Sequence, residues 1–99
     1  MKVNITSVHF KTDKKLENFI QNKIEKLNNL YDGIIGSEVT LRLDKNEKEG
    51  NKVAEIKIII PGNDLFAKKQ AKTFEQATDT AIEALKKQLT KHKDKIKGI

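Results

Sequence analysis

Alternating apolar and polar residues predict four β-strands in this chain. Residues 2–8 follow a period of two, which is typical of a strand buried on one face only. Residues 64–71 follow it more weakly, with Leu65 and Ala67 expected toward the core. Between them, the same alternation recurs in two segments, through Val39, Leu41 and Leu43 and through Ala54, Ile56, Ile58 and Ile60.

A different repeat, every three or four residues, predicts a first helix after the first strand. Thr12 or Asp13 can cap its start, and Gly33 is expected to end it in the left-handed conformation that follows many helices. A single apolar stripe is typical of a helix that packs on one side. The stripe consists of Leu16, Phe19, Ile20, Ile24, Leu27 and Leu30.

The last segment predicts a second and longer helix. Thr73 and Gln76 have the spacing of a capping box, and the helical pattern continues to about Lys97. Such a helix would be about 35 Å long, whereas a strand of eight residues spans about 26 Å. We therefore expect its lysine-rich end to pass the edge of the sheet. Its expected buried stripe is Phe74, Ala77, Ala81, Leu85 and Leu89.

The order of these elements defines the fold class. A β-α-β-β-β-α order predicts an α+β protein with a four-stranded mixed sheet, since the helical crossover makes the first two strands parallel and short connections make the others antiparallel. Each strand has one apolar face, so both helices should pack on the same face. No linker or repeat interrupts the 99 residues, which we interpret as one domain, 1–99.

The composition offers little for catalysis. The chain has no Cys, its His9 and His92 stand alone in different elements, and its five glycines are spread over turns. We expect neither an enzyme, nor a cofactor or metal site, nor a small-molecule substrate. No apolar run is long enough to span a membrane or to act as a signal peptide, so we expect a cytoplasmic protein without a membrane partner.

The charge is concentrated at the carboxyl end. Residues 84–99 carry six Lys and one Asp, which is +5 of the net +6. One or two lysines would suit the helix dipole, but six at like-charge spacing repel one another and indicate an anionic partner. On a helix they form two rows, Lys87, Lys91 and Lys95 in one, and Lys86, Lys93 and Lys97 in the other.

The residues that the helix lacks distinguish between a membrane surface and a nucleic acid as the anionic partner. A membrane-surface helix would need spare apolar residues opposite its lysines, and here the fold uses them. Five aromatic residues and a single Arg favour contacts with nucleic-acid phosphates over reading of bases. A double-stranded-RNA-binding module and an adaptor for an acidic protein remain as alternatives.

Residues 88–97, QLTKHKDKIK, resemble the last helix of the bacterial ribosome hibernation-promoting factor family, also called ribosome-associated inhibitor or sigma-54 modulation proteins. Residues 74–79, FEQATD, resemble the start of that helix, residues 23–32, KIEKLNNLYD, the end of the family's first helix, and KVNITS its first strand. Lys69 departs from the pattern, which usually has a small core residue there. Because the chain stops soon after the helix, it resembles the family's short form.

The resemblance implies the same β-α-β-β-β-α fold and a non-enzymatic factor made when growth slows. It implies binding to the small ribosomal subunit in the messenger RNA channel, contact with ribosomal RNA, and a block of translation by overlap with the messenger and tRNA sites. A second hibernation factor is a further candidate partner. The residues that match the family's basic pattern are Lys23, Lys26, Lys87, Lys91, His92, Lys93, Lys95 and Lys97, to which the row geometry adds Lys86.

Overall fold

The computed structural model describes residues 2–45 and 50–97, with side chains up to Lys93. Its elements follow the predicted order of strands and helices, and the α+β class is confirmed. They are β1 (Lys2–Ser7), α1 (Lys14–Leu30), β2 (Gly36–Leu43), β3 (Lys52–Ile60), β4 (Asn63–Ala71) and α2 (Phe74–Lys97).

The four strands form one mixed sheet in the order β1-β2-β3-β4. β1 is parallel to β2, and the other neighbours are antiparallel. The register aligns apolar residues across the sheet, since Ile5 pairs with Val39, Val39 with Ile56, and Ile56 with Ala67. This row faces the helices and is continuous with the hydrophobic core, as the alternation predicted.

The opposite face of the sheet carries charged side chains in ion pairs, beside the apolar residues Val53 and Phe66. The Lys57 ammonium lies 3.8 Å from carboxylate oxygens of both Glu38 and Asp64. Arg42 pairs with Glu55 on neighbouring strands. Charged side chains of this kind would be costly to bury, which explains why both helices pack on the other face.

Both helices begin with the capping residues that the sequence indicates. Asp13 accepts a hydrogen bond from the Leu16 backbone N–H at 2.7 Å, while the Thr12 hydroxyl donates to the Glu17 carboxylate. At α2, the Thr73 hydroxyl oxygen accepts from the Gln76 backbone N–H at 3.0 Å. Asp13, not Thr12, is therefore the cap of α1, and Thr73 caps α2.

The end of α1 differs from the prediction. The helix ends at Leu30, and Tyr31 caps it with an extended backbone and an N–H donated to the Leu27 carbonyl at 3.1 Å. Gly33 does not adopt the left-handed conformation, which in the described residues belongs to Gly50, Gly62 and His9. The expectation for Gly33 was wrong because the helix already ends at Tyr31, whose backbone N–H satisfies the Leu27 carbonyl one turn earlier.

Two strand residues, Leu43 and Lys69, are exposed although they lie on the face of the sheet that packs against the helices. Leu43 was expected in the core but is 45% exposed, because β1 ends opposite Leu41 and leaves the last residues of β2 without a neighbour on that side. In β4, Leu65 and Ala67 are buried as predicted. Lys69 shares their face of the strand but is exposed, so the departure from the family pattern leaves the register intact.

The two helices run side by side in the same direction on one face of the sheet. The Lys23 ammonium contacts the Asp79 carboxylate at 3.0 Å, and further along both helices Tyr31 contacts His92. The expected stripe of α2 from Phe74 to Leu89 is buried, together with Thr78 and Ile82. The carboxyl ends of α1 and α2 therefore meet at one end of the molecule.

Candidate nucleic-acid interface

The lysines of α2 lie on the side of the helix away from the core. Leu85 and Leu89 are fully buried, whereas the side chains of Lys86, Lys87 and Lys91 are exposed and that of Lys93 is half-buried. Helical periodicity produces this separation, since the two leucines are four residues apart and the lysines fall between them and beyond. Lys95 and Lys97 continue the two rows in the helical backbone, but their side chains lie outside the described residues.

The predicted basic residues differ in whether a carboxylate already neutralises them. Lys86 lies 3.3 Å from Glu83 one turn earlier, and Lys23 lies 3.0 Å from Asp79. The Lys23 ammonium is also 5.4 Å from the centre of the Phe19 ring. Lys23 and Lys86 therefore have intramolecular partners that a phosphate would have to replace.

Four other lysines of the set have no such partner among the described side chains. Among the residues with described side chains, no carboxylate lies within ion-pair distance of Lys26, Lys87, Lys91 or Lys93. Unpaired, solvated ammonium groups exchange small counterions for phosphates at little cost. These four residues form the part of the predicted site that is available to an anion, and we call them the unpaired lysines.

Both helices contribute to this part of the surface. Lys26 lies in an open depression on α1, beside Glu25 and three asparagines, Asn22, Asn28 and Asn29. Lys87 and Lys91 line a second depression on α2 with Thr90. Tyr31 contacts His92 at the junction between the helices. Lys26 lies five residues before Tyr31, and Lys87 and Lys91 lie within five residues of His92. The fold thus brings distant segments of sequence to one basic end.

His92 has a different setting from the lysines beside it. Its side chain is half-buried, and its ring meets that of Tyr31 edge-on with centroids 5.4 Å apart. The Tyr31 hydroxyl oxygen is 3.4 Å from His92 Nε2. Sequence reasoning listed His92 as a ligand of RNA and did not identify Tyr31. The position of Tyr31, four residues after Leu27 in the buried stripe, was the available signal.

Neither a metal cluster nor a membrane-spanning helix is found in the described residues. No group of three or more His, Asp or Glu side chains is arranged to hold a metal ion in the part of the chain that the structure describes. In the same part, neither helix is long and apolar enough to cross a membrane.

Comparison with known proteins places the whole chain in one family. The family model described as Sigma 54 modulation protein / S30EA ribosomal protein matches residues 3–97. Ribosome hibernation promoting factor from Klebsiella oxytoca is 29% identical over 97 residues, which is 98% of each chain. Ribosome hibernation promoting factor from Escherichia coli K12 is 30% identical over 97 residues, again 98% of each chain.

Solved structures show the same fold. A ribosomal subunit interface protein from Coxiella burnetii superposes with a TM-score of 0.83 and 18% identity, covering 94% of this chain and 98% of that one. The N-terminal domain of Protein Y from Thermus thermophilus gives a TM-score of 0.79 and 19% identity, covering 93% and 99%. With the sequence match over nearly its full length, the chain belongs to the Sigma 54 modulation protein / S30EA ribosomal protein family.

Proposed function

We propose that this protein is a ribosome hibernation factor, which binds the small ribosomal subunit through ribosomal RNA and blocks translation without catalysing a reaction. The observation that carries the proposal is the match over residues 3–97 to the family, together with relatives of the same length named for ribosome hibernation. The site of action would then be the cytoplasm, where ribosomes translate.

The unpaired lysines supply the physical basis of binding. Their ammonium groups contact phosphates of the RNA backbone, which releases counterions and makes the affinity fall steeply with salt. Lysine presents a point charge without the planar fork of arginine, so the contacts recognise the shape and charge of the RNA. We include Lys95 and Lys97 as continuations of the same rows, and assign smaller contributions to Lys23 and Lys86 because each must first leave a carboxylate.

Inhibition follows from occupancy. A folded body of 45 × 26 × 19 Å held in the messenger channel excludes messenger and tRNA, because two molecules cannot occupy the same volume. No bond is made or broken, and the block is reversed by dissociation or by competition. Messenger and initiator tRNA bound beforehand should therefore reduce binding of this protein to small subunits.

The test of the interface replaces three unpaired lysines of α2 by alanine, as Lys87→Ala, Lys91→Ala and Lys93→Ala in one chain. We expect its affinity for purified small subunits, measured by co-sedimentation, to fall at least about tenfold. The slope of log K against log salt should become shallower by about two to three, because each phosphate contact contributes about 0.7–0.9.

A matched control removes three positive charges around the amino end of α1. Lys11, Lys14 and Lys15 are exposed and without a described ion pair. Their triple alanine variant has the same net charge as the variant of α2. We expect less than a threefold change in affinity. Equal losses in the two variants would show that net charge alone drives binding and would refute the interface.

Competition separates the proposal from the alternatives. If short duplex RNA displaces the protein from small subunits at equal nucleotide concentration, it is a double-stranded-RNA-binding module without a ribosomal target. If nuclease treatment of a lysate leaves its complexes intact, the partner is an acidic protein. Neither is expected, because the family match covers residues 3–97 and the relatives are named for ribosome hibernation.

A further inference from the structure

Tyr31 connects the ends of the two helices. It follows the last residue of α1, with φ of −150° and ψ of 117°, and its backbone N–H caps the helix through the Leu27 carbonyl. Its ring is half-buried and packs edge-on against His92 of α2, 61 residues away in sequence. Edge-to-face pairs of rings add stability beyond the area that they bury. The side chain therefore joins α1 to α2 where both helices end.

Gly33 makes room for this arrangement. A Cβ atom placed on Gly33 would lie 2.6 Å from Tyr31 Cε2 and 2.7 Å from its hydroxyl oxygen. The backbone of Gly33 is not left-handed, so the position needs glycine for space and not for conformational freedom. Tyr31, Gly33 and His92 thus form one unit, which we call the Tyr31 brace.

The brace lies just after the last residue of α2 that is buried among the described side chains. Leu89 is the last residue of α2 that is buried among those with described side chains, and the helix continues to Lys97. His92 comes three residues later, between Lys91 and Lys93. Lysines spaced by four residues repel one another and favour fraying of an unsupported helix end. Within the described residues, the ring contact that opposes this fraying is the one between Tyr31 and His92.

We infer that Tyr31 is a positioning residue that fixes the end of α2 and so presents Lys91 and Lys93 in one orientation. Binding by these lysines rests on the proposed function, whereas their fixation does not. When a phosphate binds to a helix end that is already ordered, the protein loses less conformational entropy than when a frayed end must first become ordered. His92, although it lies among the lysines, then acts through Tyr31 and not through RNA.

Hydrogen exchange in the free protein tests the brace. We expect the amides of residues 90–97 to exchange at least about tenfold faster in Tyr31→Ala and in Gly33→Ala, and those of residues 77–89 to stay within about threefold of the parent. Tyr31→Phe keeps the ring pair and should behave as the parent. Gly33→Ala is a sharp variant, because Ala at a position without left-handed backbone ordinarily stabilises a protein. Unchanged exchange in both variants would refute the brace.

Binding then tests the positioning role. Tyr31→Ala should bind purified small subunits about five- to tenfold more weakly, and Tyr31→Phe within about twofold of the parent. Ile56→Val serves as the control, since it removes one buried methyl group from the centre of the sheet and leaves Tyr31, Gly33 and His92 unchanged. Faster exchange with unchanged affinity would overturn the positioning role. If the parent does not bind small subunits, the proposed function fails, while the exchange data still decide whether Tyr31 holds the end of α2.

Discussion

The two parts of α2 on either side of Leu89 are built on opposite principles. Up to Leu89, a residue is buried at every third or fourth position against β3, β4 and α1. After it, the described side chains are exposed or half-buried, and the sequence is dominated by lysine. The first part is held by the removal of apolar surface from water, and the second presents charge to water. One continuous helix thus joins a packed segment to the proposed binding surface.

The difference shows what supports the basic part of α2. A lysine-rich helix of eight residues would be unstable alone, because its lysines repel and short helices lack cooperative support. Continuity with the packed segment nucleates the helix, and Tyr31 contacts His92 within the lysine-rich part. Removal of packing in the first part should therefore act on stability, and removal of charge in the second part should act on binding.

The largest effect is expected in the packed part. Leu85→Ala should lower the free energy of unfolding by about 2–5 kcal/mol, because the leucine is fully buried and the fold cannot close the cavity. In a domain whose total stability is about 5–15 kcal/mol, this change approaches complete unfolding. The midpoint of urea unfolding, followed by circular dichroism, measures it. A loss below 1 kcal/mol would show that α2 is not anchored as described.

A smaller effect of opposite sign is expected at Thr78, also in the packed part. Its hydroxyl oxygen is buried and has no hydrogen-bond partner within the described residues. Thr78→Val should raise the free energy of unfolding by about 1 kcal/mol, since it removes an unsatisfied polar group and keeps the branched shape. Thr80→Val is the control, because the Thr80 hydroxyl is exposed and donates to the Gln76 carbonyl. If Thr78→Val destabilises the protein, its hydroxyl has a partner.

The smallest effect on stability is expected in the basic part. The free energy of unfolding of the Lys87→Ala, Lys91→Ala and Lys93→Ala variant should stay within about 0.5 kcal/mol of the parent's. Substitutions at the surface rarely change stability by more than this, and alanine favours the helix. The same variant should lose binding to small subunits. A stability loss above 2 kcal/mol would contradict the comparison, since it would mean that the lysine side chains cover part of the core.

Within the binding surface, local spacing indicated the candidate residues but not their state of pairing. The rows of lysine on α2 follow from helical periodicity, and Glu83, three residues before Lys86, is close enough in sequence to foresee that pair. The pairing of Lys23 with Asp79 could not be foreseen, because 56 residues separate them and the contact exists only once the helices lie side by side. Gly33 was misread for a different reason, because Tyr31 ends the helix two residues earlier and its ring needs the space beside Gly33.

The sequence by itself determined the order of strands and helices, the face of each that is buried, the cap at Thr73 and the concentration of charge near the carboxyl end. Each of these depends on the spacing of neighbouring residues, which is a local property of the chain. The tertiary structure decided that Asp79 neutralises Lys23, that Leu43 is exposed, and that Tyr31 meets His92. These depend on how whole elements pack, and packing is set by the shapes of residues that are distant in sequence.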